Sequence, residues 1–160
     1  MIKKNILITG LNGKESRKIA TILAEKLEIN FVDLNHLITE KLQQDDALQN
    51  ISAKKIERIK NDAIGVICNS NYSICFIDSR FIFEQKNIEK LKNNAIIVYF
   101  RYKKDDISTN KLSFNNSYAF EIEDKLLQEK CDITIEMSTQ TTIESILKGI
   151  KLYVDKGENV

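Results

Sequence analysis

Proline and tryptophan are both absent from these 160 residues, and His36 is the single histidine. Lysine, asparagine and isoleucine are abundant, so the missing proline is as readily a matter of genome composition as of fold. Three cysteines, Cys68, Cys75 and Cys131, lack metal-ligand spacing and each lies in or beside apolar sequence. That pattern predicts buried free thiols, no metal site, and a reducing, cytoplasmic setting. No basic stripe dominates any segment and the formal net charge is +1, which excludes nucleic acid as a bulk electrostatic partner. The longest apolar run, Ala95–Phe100, is far too short to cross a bilayer, so no membrane partner is expected. Met1–Asn5 leads straight into a strand pattern, and no signal peptide is expected. What is present is ordinary for a globular protein: 42% hydrophobic and 29% charged residues, in a chain long enough for one domain with its own core.

Apolar strand candidates alternate with helical patterns along the whole chain, which predicts an α/β fold with a parallel sheet covered by helices on both faces. The strands are read at Lys4–Thr9, Phe31–Leu34, Ser73–Asp78, Ala95–Arg101 and Asp132–Met137. Helices are read over about Glu15–Glu28, Asn35–Gln43, Glu84–Lys92 and Tyr118–Lys130. A further helix follows Asn50 as its cap, with the apolar stripe Ile56, Ile59, Ala63, Val66 and Ile67. The last helix opens near Thr141, where Thr141 and Glu144 have capping-box spacing, and buries Ile143, Ile146, Leu147, Ile150 and Val154. The polar stretches Gln44–Asn50 and Lys103–Ser117 read as loops, the second as a flap. No internal repeat or linker interrupts this order.

The first strand carries the most information. It runs through Ile6, Leu7 and Ile8 into a glycine loop, Gly10-Leu-Asn-Gly13, and then directly into an amphipathic helix. This is the frame in which backbone N–H groups and a helix N-terminus hold a polyphosphate. The run NILITGLNGKESRKIATILAEKLEINFVDLNHLI resembles shikimate kinase, a family that opens with the same strand, glycine loop and helix and continues into an F-x-D-x-D pattern. The similarity needs no gap between Gly10 and Asp33 and continues more weakly through most of the chain. It implies a three-layer α/β/α fold of the nucleoside-monophosphate-kinase type, with a five-stranded parallel sheet. It also implies an ATP loop, a substrate-type subdomain over about 35–62, and a lid, here shortened, over about 103–117. The family transfers the ATP γ-phosphoryl group to the 3-hydroxyl of shikimate with magnesium, so ATP and magnesium are implied by resemblance only.

In the gapless register Gly10 and Gly13 keep the family's first two loop glycines, and Lys14 follows. Glu15 falls on the next glycine, Ser16 on the phosphate-binding lysine, and Arg17 on the hydroxyl residue that meets magnesium. In a second register Gly13-Lys14 is the glycine–lysine pair, Ile8 replaces the first glycine and Glu15 the hydroxyl. A carboxylate at ~5 Å from a phosphate opposes it by roughly 3 kcal/mol at an effective dielectric of ~20. Nucleotide affinities are worth only roughly 4–8 kcal/mol. Lys14, Arg17 and Lys18 are the residues that would compensate, or they are solvated charges at a helix start.

Elsewhere the resemblance places Asp33 on the first aspartate, near magnesium, and Asn35 on the second, the family's candidate base. An amide takes no proton. Glu57 falls on the arginine that grips the substrate carboxylate and Lys60 on the glutamate that follows it, while Arg58 sits one residue off, about 100° around the helix. Asp78-Ser79-Arg80 stands where the family has a glycine triplet. Asp78 reads either as a magnesium-supporting strand-end acid or as a cap of the next turn, and Arg80 as an anion contact. Glu123 and Leu127 replace a later arginine and tyrosine.

Three readings follow. The first is a shikimate-kinase-like protein with degenerate nucleotide, substrate and lid motifs and without that activity, serving as a binding or regulatory partner of another protein or surviving as a decayed copy. The second is an active phosphotransferase with an altered hydroxylated acceptor, using Lys14 or Arg17 on the phosphates. The third is a module that binds a small anion at the first helix without catalysis.

Overall fold

A computed structural model describes residues 4–44, 52–107 and 117–157 of the chain. The strands are β1 (Asn5–Thr9), β2 (Asn30–Asp33), β3 (Ser73–Phe76), β4 (Ala95–Tyr102) and β5 (Ile133–Met137). The helices are α1 (Gly13–Leu27), α2 (Leu34–Gln43), α3 (Ala53–Asn69), α4 (Ser79–Ile82), α5 (Gln85–Asn94), α6 (Ser117–Lys130) and α7 (Ile143–Gly157). All five strands are parallel, in the order β2-β3-β1-β4-β5. The sheet order therefore reverses at β1, whose C-terminal end opens the crevice where ligands bind in open α/β sheets.

Every residue of β1 is buried, as expected for the middle strand of a parallel sheet covered on both faces. Because side chains alternate across a strand, Ile6 and Ile8 point to one layer and Leu7 to the other. The first layer packs Ile6, Ile8, Ile74, Phe76, Ile96, Val98 and Phe100 against Ala20, Leu23 and Ala24 of α1 and Ile146 and Ile150 of α7. The second packs Leu7, Cys75, Ile97 and Tyr99 against Ile59, Ala63, Ile64 and Ile67 of α3, Leu91 of α5 and Leu127 of α6. At the N-terminal end of the sheet the buried Asn5 side chain makes four hydrogen bonds. Its amide donates to the Ile67 and Ser70 carbonyls (2.9 and 2.8 Å), and its oxygen accepts from the Ser73 N–H and hydroxyl (3.0 Å each).

Several expectations need correction. Helix α1 begins at Gly13, two residues before the expected Glu15. The cap of α3 is Ser52, whose hydroxyl accepts from the Lys55 N–H, and Asn50 lies outside the described residues. On α3 the exposed Val66 leaves the expected stripe and Ile64 takes its place, because positions 63, 64 and 67 form one face. The third strand stops at Phe76, and Asp78 caps the unanticipated α4 by accepting from the Arg80 N–H. At α7 the reciprocal cap is Thr142 with Ser145 (3.2 Å each way), while Thr141 accepts from the Ser138 N–H and Glu144 pairs with Lys26. Of the expected flap, Lys104–Asp106 is a 3₁₀ turn followed by the buried Ile107, Ser117 begins α6, and 108–116 lie outside the described residues.

A polar network fixes α6 to the sheet. Arg101 on β4 grips Asp124 through Nε and Nη2 (2.9 Å each) and reaches Glu136 of β5 through Nη1 (2.8 Å). The Tyr99 hydroxyl donates to the same Asp124 carboxylate at 2.6 Å. Burial opposes ionisation of Asp124, but Arg101, Tyr99 and Gln128 outweigh it and hold its carboxyl below the ordinary aspartate value. A depressed folded-state pKa stabilises the protein above the unfolded pKa and loses that contribution as pH falls through the folded value. Asp124→Asn is expected to cost roughly 1–3 kcal/mol at neutral pH and to flatten the loss of stability below about pH 4. Urea unfolding at a series of pH values checks both, and an unchanged acid limb would sink the assignment.

Candidate functional site

Strand β1 delivers the chain into Gly10, Leu11 and Asn12 before α1 starts. A Cβ on Gly10 would lie 2.4 Å from the Ser16 hydroxyl and 2.9 Å from the Phe100 carbonyl oxygen. Only glycine fits there, because the Ser16 side chain, fully buried, is seated against it. The Ser16 N–H donates to the Asn12 carbonyl at 3.0 Å, closing the first turn of the helix. No described glycine has a positive φ, so the loop lacks the alternating handedness that aims successive N–H groups at one anion. Thr9 Oγ1, Asn12 Oδ1 and Ser16 Oγ are buried without hydrogen-bond partners, and the Asn12 side chain does not cap α1.

The charges of this first turn are divided. Lys14 and Lys18 are exposed, whereas Glu15 is half-buried. Burial and the nearby Glu15 carboxylate together push the Tyr102 hydroxyl up to about 12. Arg17 pairs through Nε with Asp33 Oδ2. The other Asp33 oxygen accepts from the His36 N–H at 3.0 Å, so one carboxylate caps α2 and holds α1 to it.

Beside this junction lies a cavity of about 330 Å³, lined by Asn35, Ile38, Thr39, Lys60, Asp78, Arg80, Phe81 and Glu84. The Asn35 side-chain oxygen accepts from the Asp78 N–H at 3.0 Å, tying α2 to the end of β3. Asp78 takes a two-pronged grip from Arg80, whose Nε and Nη2 reach its two oxygens at 3.0 and 3.1 Å. Burial works against the Asp78 charge, yet the Arg80 bonds and charge leave its pKa below the usual value. Across from them, Lys60 pairs with Glu84 at 3.2 Å and lies 5.2 Å from the Phe81 ring centroid. Glu123 of α6 lies near Asp78: burial, then the Asp78 charge, raise its pKa, and its Oε2 is buried without a hydrogen-bond partner.

The structure brings Asp33, Asn35, Asp78 and Arg80 to the C-terminal end of the sheet and leaves other candidates out of the cavity. Glu57 points to solvent and pairs with Lys86 at 2.6 Å, and Arg58 is exposed. Ser79 is buried in the first turn of α4 and does not line the cavity. Lys60, not Arg58, is the α3 cation in the cavity. Its signal was its place four residues after Ile56 and four before Ile64, on the inward face of the helix. Glu84, Thr39 and Phe81 carried no comparable signal.

A parallel sheet in this order, with a glycine loop between its central strand and the first helix, is the P-loop kinase fold, and its particular form is shikimate-kinase-like. No protein-family model matches the chain. The shikimate kinase of Thermodesulfovibrio yellowstonii is 22% identical over 164 residues, covering 94% of this chain and 95% of that protein. The crystal structure of shikimate kinase from Bacteroides thetaiotaomicron superposes with a TM-score of 0.68 at 12% identity, over 96% of this chain and 99% of that one. The Acinetobacter baumannii shikimate kinase, solved in complex with shikimate, gives 0.64 at 19% identity over 98% and 95%. Among the described residues no helix is long and apolar enough to cross a membrane.

Because the Phe100 carbonyl cannot swing aside, Gly10→Ala is expected to cost roughly 1–3 kcal/mol. Ser16→Ala, which removes a buried hydroxyl without a partner, is expected to change stability by less than about 1 kcal/mol. Urea midpoints of the two variants test the pair, and a Gly10→Ala protein as stable as wild type would refute the close approach.

Proposed function

We propose that this shikimate-kinase-like chain does not transfer phosphoryl groups and works as a binding or regulatory protein, or persists as a decayed copy of a kinase. The observation that carries this is the Ser16 side chain seated on Gly10. A polyphosphate needs the N–H groups of an open loop, and here the space beside the first glycine is taken by the chain itself. The rest of the machinery agrees. Asn35 cannot act as a base, and Glu57 stands at the surface where a carboxylate-gripping arginine is needed. Of the four arginines in the chain, Arg17, Arg80 and Arg101 are bonded to carboxylates of their own fold. An arginine over a transferring phosphoryl group is worth on the order of 10³–10⁵ in rate.

The substrate-type subdomain and the shortened lid remain part of this proposal, as do a protein partner and a cytoplasmic setting, which the free Cys68, Cys75 and Cys131 favour. A second reading, a small-anion module, is favoured by α1 lacking a side-chain cap beside the exposed Lys14 and Lys18. Purified protein with ATP, magnesium and shikimate is expected to release no ADP above the blank. Shikimate-dependent ADP release would overturn the proposal. In parallel calorimetry, inorganic phosphate binding without ATP binding would select the anion module.

A further inference from the structure

The loop and its surroundings do not fit a magnesium nucleotide, and the misfit has a specific form. The residue that stands at the metal-meeting hydroxyl position is Arg17, and its guanidinium is bonded to Asp33, the acid at the metal-side position. The Asp33 side chain is only 10% exposed, so its charge needs a counter-ion close by. Its two oxygens are both used, one by Arg17 and one by the His36 N–H that α2 needs for its cap.

We infer that the Arg17 guanidinium is a built-in counter-cation, occupying through a covalently attached side chain the electrostatic role that a divalent ion fills beside such a carboxylate. A guanidinium offers fixed, directional N–H donors and is always protonated, so it neutralises Asp33 without any ion from solution. It also joins two helix starts, because Arg17 lies in the second turn of α1 and Asp33 caps α2. Lys14 and Lys18, beside it in the first two turns of α1, are exposed. The pairing makes the fold independent of divalent cations at this junction. This inference extends the proposed lack of phosphoryl transfer and rests on it for the placing of residues. Its test reads melting temperature and cation response instead of turnover, so either can fail while the other stands.

The wild-type protein is expected to melt at the same temperature in EDTA and in millimolar magnesium or manganese, at matched ionic strength. Arg17→Ala is expected to lower the melting temperature by roughly 2–4 °C. Magnesium or manganese, but not potassium at equal ionic strength, then restores part of that loss. Adding Asp33→Asn, which keeps a capping side chain and removes the charge, is expected to abolish the cation response. A wild-type protein stabilised by magnesium would overturn the inference. So would an Arg17→Ala variant that ignores divalent ions, or a response that survives Asp33→Asn. Should Arg17→Ala fail to fold, Arg17→Gln takes its place. Selective manganese broadening of the His36 amide resonance in the wild type would also refute the idea.

Discussion

The contact between the Ser16 hydroxyl group and Gly10 fixes the geometry of this molecule's C-terminal edge. For α1 to lie against β1 and β3, the helix must approach the strand end closely, and the Phe100 carbonyl also bounds Gly10. With a serine at this point the helix closes its first turn from Asn12 and starts at Gly13. A longer side chain could not be accommodated beside Gly10 without turning outward, and the loop would have to open. Lys14 and Lys18 are exposed on this helix start, and Arg17 meets Asp33. The cavity between α2, α3 and α4 is then walled by ion pairs made within the chain, Arg80 with Asp78 and Lys60 with Glu84.

The two ends of the sheet are built by different means. At the N-terminal end a neutral side chain, Asn5, satisfies four bonds in full burial and leaves no donor or acceptor for a ligand. At the C-terminal end the polar atoms of Thr9, Asn12 and Ser16 are buried without partners. Between them, β1 contributes its apolar side chains to both layers. The Arg101–Asp124–Tyr99 network ties α6 to β4 from the flank. Away from the crevice the architecture is stabilised by the Asn5 bonds and the Arg101–Asp124–Tyr99 network.

The fold was legible because its signals are strong and repeated: apolar strands alternating with amphipathic helices, and a glycine loop after the first strand. Element ends were less so. Thr141 and Thr142 both offer a hydroxyl three residues before a side chain that can answer it, and only the path of the chain decides for Thr142. For the site, spacing proposed positions but did not show where their side chains go. Whether Arg17 lies over the loop or beside Asp33 depends on a partner sixteen residues away, and whether Glu57 meets a ligand depends on Lys86, across a helix–helix contact. Arg58 is exposed on α3, and the periodicity through Ile56, Lys60 and Ile64 turns Lys60 to the cavity instead.

The arginine–carboxylate pairs also bear on how such a chain can change. Replacing Arg17 by a small hydroxyl residue would leave Asp33 charged and nearly buried without its counter-ion. Replacing Arg80 by glycine would leave Asp78, which is partly exposed, without its two-pronged partner. Each acid is paired within the fold, so removing its arginine lowers stability. The crevice is thus held in its present arrangement by its own electrostatics, and a change to either arginine has to be matched by a change at its acid.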